Sequence, residues 1–308
     1  MHCQDTGSIK NQSAIRRGWP IAPRLACVLV AVVCTVVGCI GRDLSFDGEK
    51  AYSHVLKQCA FGPRPVGSDE NRQTAEYISS TLEKLGWAVQ MQEFAYRGVT
   101  VRNVIASRGS GPLIVLGAHY DTRSVADRDP IDPTQPVPGA DDGASGVAVL
   151  LELGRALDPD EVPFEVWLVF FDGEDQGAIG GWPFSVGASY MAQHLTVKPR
   201  AVVVVDMVGD QDQRFLWEAN SDADLQHTLW AVAARLGYDD NFVPREGYAI
   251  IDDHLPFREQ GLVAVDIIDF DYPYWHTVED TPDKVSPESL ERVGRVLETW
   301  LESDRSNE

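Results

Sequence analysis

Four short runs of the chain are apolar at nearly every position rather than at alternate ones: Leu113–Gly117 (LIVLG), Phe164–Phe171 (FEVWLVFF), Ala201–Val205 (AVVVV) and Leu262–Ile268 (LVAVDII). Runs so short, apolar on both faces, suit strands covered by helices on both sides of a sheet. Segments with an apolar stripe at helical spacing alternate with them, at Gly143–Leu157, Phe184–His194, Leu225–Leu236 and Pro287–Leu301. Upstream, Phe46–Leu85 is helical in pattern but is broken at Phe61–Ser68 (FGPRPVGS), where glycine and proline impose a loop. The helix that restarts near Asp69 carries Ala75, Ile78, Leu82 and Leu85 on one face, and Trp87–Tyr96 alternates as a half-buried edge strand does. Together these elements predict a three-layer α/β domain, its central sheet mixed but mostly parallel and flanked by helices.

Each buried run gives way to acids and histidines at its C-terminal end. The first leads into His119, Tyr120 and Asp121, the second into Asp172, Glu174 and Asp175, the third into Asp206, and the fourth into Asp269, Asp271, Trp275 and His276. In open α/β sheets ligands bind at the carboxyl ends of the strands. Carboxylates packed closely repel one another and raise one another's pKa unless a cation or a shared proton lies among them, so FFDGEDQG points to a site rather than to a solvated turn. Between the first two runs, PGADDGASG places Asp141 and Asp142 just before a helix, where the positive end of the helix dipole favours negative charge. Helix capping by Asp142 would account for one of these acids but not for the pair among glycines.

The chain of 308 residues has 47 acids against 26 bases, and this excess disfavours nucleic acid and anionic lipid as partners. Residues 1–38 read as a signal peptide: Arg16, Arg17 and Arg24 precede the apolar run Leu25–Val37, too short for a membrane span. The run ends in VVGC, which resembles a bacterial lipobox. This implies lipid on Cys39, a membrane anchor and an exported, periplasmic or cell-surface location for residues 39–308, expected to form a single catalytic domain. With Cys3, Cys27 and Cys34 in the signal and Cys39 lipidated, Cys59 alone stays free and no internal disulfide is expected.

GAHYDTR, PGADDGASGVAVLLELGRAL, FFDGEDQG, DMVGD, DDHLPF and YWHT, in that order, resemble the zinc aminopeptidase and glutaminyl cyclase superfamily, and most of all its bacterial glutaminyl cyclases of animal type. The resemblance spans roughly Phe61 to Leu301. It implies one zinc ion on Asp142, Asp175 and His276, with Glu174 as general acid and base, and two carboxylates and one imidazole leave an open fourth position. Asp206 and Asp252 resemble buried acids that orient the substrate amine; Trp275 resembles a wall of the substrate pocket. Asp266 stands where the animal enzymes have a histidine partner for the substrate network, and Glu174–Asp175 stands where they have two glutamates. Trp182 is a second candidate pocket tryptophan, and His254 is expected to be a packed structural histidine. The implied reaction closes an N-terminal glutamine of a peptide or protein to pyroglutamate and releases ammonia. A rival is an aminopeptidase with a second zinc on His119 and Asp206 and with Asp142 bridging the pair; a non-catalytic binding ectodomain is a third reading.

Overall fold

The computed structural model describes residues 44–302. The signal-peptide and Cys39 expectations lie outside the described residues. Six strands form the main sheet: β1 (Ala88–Tyr96), β2 (Val99–Gly109), β3 (Leu113–His119), β4 (Glu165–Phe171), β5 (Ala201–Asp206) and, later in the chain, β8 (Ala264–Ile268). Their spatial order is β1-β2-β4-β3-β5-β8. β1 pairs antiparallel with β2 and β2 with β4, whereas β4, β3, β5 and β8 run parallel. A short parallel pair, β6 (Phe215–Trp217) and β7 (Phe242–Glu246), stands apart from this sheet.

Side chains of the parallel strands alternate between two apolar layers. Ile114, Leu116, Val166, Leu168, Val203, Val205, Val265 and Ile267 face one way. That layer is closed by the helices α1 (Gly48–Cys59), α2 (Asp69–Lys84), α3 (Ala144–Ala156), α5 (Ala223–Arg235) and α7 (Pro287–Glu302). Leu113, Val115, Val169, Phe171, Val202 and Val204 face the other way, beneath α4 (Val186–His194) and α6 (Leu255–Glu259). Burial on both faces is why these strands read as continuous apolar runs, and the three-layer expectation holds. β1, with no fully buried residue, is the edge strand its alternation predicted. The sequence pattern marked no element at β2, β6, β7 or α6.

The caps explain where the helices start. Ser68 closes the FGPRPVGS loop by accepting the Asn71 amide at the head of α2. Fully buried Arg64, from the same loop, donates to the carbonyls of Tyr120, Pro138 and Gly139, and so ties the loop to the segment that precedes Asp142. α3 packs so tightly on β5 that a Cβ on Gly146 would lie 2.2 Å from the Val205 carbonyl oxygen. Because α3 and α4 cover opposite faces, the chain crosses from one side of β3 to the other between β4 and β5, and the site forms at that switch in direction.

Candidate metal centre and active site

The parallel strands end at one edge, and two buried carboxylates there fix the loops that carry the chemistry. Asp121, just past β3, accepts the backbone amides of Glu174 and Asp175, each at 3.1 Å. Asp280 accepts the amides of Asp141 and Asp142 at 2.8 and 3.2 Å, and the Tyr272 hydroxyl donates to it at 2.7 Å. Asp142 is therefore no helix cap: the N-cap of α3 is Gly143, at φ 97°, with no side-chain capping bond. Of the neighbouring acids, Asp141 accepts the Gly209 amide and Asp172 accepts the Arg102 amide and the Asn71 side chain. Those two serve structure and leave Asp142, Glu174 and Asp175 for the site.

Asp142, Asp175 and His276 bring one ligand atom each to within 4.8 Å of one another, all buried. His276 Nε2 lies 3.3 Å from Asp175 Oδ1 and 3.8 Å from Asp142 Oδ2. An ion held tetrahedrally at about 2.0–2.1 Å sets its ligand atoms about 3.4 Å apart, so these spacings match. Asp142 Oδ2 and Asp175 Oδ2 are buried without a hydrogen-bond partner, an arrangement whose cost a cation would remove. Two carboxylates and an imidazole around these orphaned oxygens suit zinc, and the residues fit it.

A second group, His119, Asp142 and Asp206, shares Asp142 with the first. Here both ring nitrogens of His119 face oxygens. Its Nδ1 faces the Asp121 carbonyl oxygen at 3.1 Å, and its Nε2 faces Asp206 Oδ1 at 3.0 Å and Asp142 Oδ1 at 3.2 Å. Burial disfavours the charged ring, yet the Asp206 charge and the bonds to Asp121, Asp142 and Asp206 raise the His119 pKa well above its ordinary value. Burial likewise pushes up Glu174, well above the usual carboxylate range, with Asp252 and Asp175 adding to the shift against the pull of His119. Burial and Asp252 lift Asp206 to about 7, and burial with Asp142 lifts Asp175 to about 6. Asp142 goes the other way: in spite of burial, its bond to His119 and the charges of His119 and His276 hold it below the ordinary value.

A cavity of about 30 Å³ touches Asp142, Glu174, Asp175, Asp206, Asp252 and His276, and Phe184, Ile250, Phe270 and Trp275 wall it. Larger hollows of about 370 and 550 Å³ lie elsewhere, but neither gathers the acids and histidine of a reactive centre. Trp275 stands beside His276, ring centroids 3.9 Å apart. Asp266 does not line the cavity. It is wholly buried in the strand β8, in a third group with Asp252 and His254. Trp182 packs edge-on against Tyr96, and Phe184 lines the cavity instead. His254 is fully buried, its Nε2 3.0 Å from Glu218. The sequence pattern did not reveal Asp280, Arg123 and Asp127 at the site and gave Asp121 no role; no local signal marks residues whose partners lie 50 to 150 positions away.

Fold and site define a class: a three-layer α/β scaffold that sets a cluster of two carboxylates and one histidine beside a buried glutamate. The chain belongs to peptidase family M28, whose profile matches residues 103–301. Among solved structures, it is similar to the glutaminyl cyclase of Porphyromonas gingivalis, 34% identical over 85% of this chain and 99% of that one, with a TM-score of 0.80. A leucine aminopeptidase precursor of Bacteroides thetaiotaomicron is similar to nearly the same degree: 31% identical, 86% and 98% covered, TM-score 0.79. A glutaminyl-peptide cyclotransferase-like protein of Bos taurus is 25% identical over 77% of this chain and 71% of its own length.

Proposed function

We propose that the chain is a zinc-dependent glutaminyl-peptide cyclotransferase that converts N-terminal glutamine of peptides or proteins to pyroglutamate, with zinc on Asp142, Asp175 and His276. The observation that carries this reading over its rival is the cavity, in which Phe184, Phe270 and Trp275 wall the Asp142, Asp175 and His276 group while His119 takes no part in the lining. Similarity to the glutaminyl cyclases supports it as well.

Zinc bound there would act as a Lewis acid on the side-chain carbonyl of the glutamine. Asp206 and Asp252, on the cavity wall, accept hydrogens of the substrate α-amine and turn its lone pair towards the amide carbon. Glu174 takes a proton from that amine as the new N–C bond forms, and delivers it to the amide nitrogen as the old C–N bond breaks. A five-membered lactam and ammonia result, with no net change in protons. The raised pKa of Glu174 suits a group that must both accept and donate near neutral pH. Phe184, Ile250, Phe270 and Trp275 exclude water, which would otherwise compete as nucleophile.

Mass spectrometry of Gln-Ala-type and Leu-Ala-type peptides after incubation with the zinc-loaded enzyme tests the reading. Ammonia loss confined to the glutamine peptide is expected; a released free amino acid without ammonia loss would sink it. The second reading, a two-zinc aminopeptidase, draws on the His119, Asp142 and Asp206 group, and metal analysis returning two zinc ions with activity tracking the second would favour it. Export with a lipid on Cys39 belongs to the same proposal and rests on VVGC. Cys39→Ser should abolish lipid labelling in a bacterial host, and unchanged labelling would remove the anchor.

A further inference from the structure

We propose that Arg123 and Asp127 form a positioning pair that presents His276 and Asp175 to the ion and sets how tightly it is held. The inference rests on the zinc reading above. Arg123 is 2% exposed, and its whole guanidinium is engaged. Nε and one terminal nitrogen donate to both oxygens of Asp127 at 2.7 and 2.8 Å. The other terminal nitrogen donates to the Asp175 and Gly177 carbonyls at 3.0 Å and reaches Asp175 Oδ1 at 3.4 Å. One planar fork thus joins Asp127 to the loop and the side chain of an ion ligand, a geometry that lysine cannot reproduce.

Asp127 in turn lies 3.2 Å from His276 Nδ1. The Asp127 charge beside Nδ1 favours the tautomer that carries its proton there, which leaves Nε2 to the ion between Asp175 and Asp142. The adjoining residue holds the main chain of the same histidine, since the Arg128 amide donates to the His276 carbonyl at 3.2 Å. His276 needs this restraint: at φ 59° it sits in the left-handed region that non-glycine residues avoid. Segment 123–128 therefore grips His276 through both ring and backbone while holding Asp175 from the opposite side. The Asp127 side chain is 43% exposed, so its removal leaves the core intact.

The test is zinc transfer to a chromogenic chelator, followed in wild type, Asp127→Ala, Asp127→Asn and Arg123→Lys. Asp127→Ala should weaken zinc binding by about 10–100-fold, in line with the loss of such partners elsewhere. Asp127→Asn should recover part of that loss, because its amide oxygen still accepts from Nδ1. Activity lost by Asp127→Ala should return in excess zinc, which a role in proton transfer would not allow. Zinc loss from Asp127→Ala at the wild-type rate would overturn the inference, and so would a deficit that excess zinc leaves unchanged. Failure of wild type itself to hold zinc would instead overturn the zinc reading, so the two failures are distinct. Unfolding midpoints of the zinc-free proteins, expected to match, show whether the variants compare the site rather than the fold.

Discussion

Asp280→Ala removes a carboxylate that touches no reacting atom but accepts three hydrogen bonds: the amides of Asp141 and Asp142 and the Tyr272 hydroxyl. All of these groups are buried, Asp280 itself completely. A buried donor left without a partner costs about 1–3 kcal/mol. Water entering the vacated space recovers some of that, so the three together should cost roughly 3–5 kcal/mol. In a domain of this size each kcal/mol lowers the melting temperature by about 2–4 °C, and a fall of about 10 °C is expected. Tyr272→Phe deletes one donor and leaves both backbone amides held, so it should cost only about 1 kcal/mol. Urea unfolding of the zinc-free proteins gives both numbers. The functional consequence should track the structural one, since freeing the Asp142 amide loosens the backbone of an ion ligand and weakens zinc binding. A loss below about 1 kcal/mol for Asp280→Ala, or equal losses for the two variants, would refute the cradle.

His276→Ala should release the zinc, while Glu174→Gln should keep it and lose turnover by at least about 100-fold; metal analysis beside single-turnover rates checks both, and a fast Glu174→Gln enzyme would remove Glu174 as the proton carrier. The zinc-free protein should lose stability as pH rises from about 6.5 to 8. Burial raises Asp172 and Asp280 to about 7, and His119 lies well above its ordinary value, so the folded state binds more protons than the unfolded chain in this window. The stability these groups confer is complete below their unfolded pKa values and is lost as pH climbs through the folded ones. His54, held to about 4 by burial, acts in the opposite sense, but only between about 4 and 6.5. Guanidinium unfolding at both ends of the window measures the slope, and a rise would contradict it.

The sequence by itself determined the layers and the edge at which the site forms. Strands buried on both faces must be apolar throughout, so LIVLG, FEVWLVFF and AVVVV announced a covered parallel sheet, and acids at their ends announced a binding edge. β2 escaped because VTVRNVIASRG mixes polar residues into a strand that joins the antiparallel half of the sheet. Asp142, Glu174, Asp175 and His276 were legible because each lies in a short motif of distinctive composition. Their division of labour with neighbours was not. Whether Asp141 or Asp142 faces the ion, whether Asp172 is a ligand or a structural acceptor, and whether Asp266 meets the substrate depend on which way each side chain points. For Asp141 and Asp172 that direction is set by partners such as Gly209 and Arg102, far away in sequence. Only the tertiary structure could bring Asp121, Asp280, Arg123 and Asp127 to the ligands, because a hydrogen bond needs its two groups within about 3 Å and the chain pattern carries no record of distances across the fold.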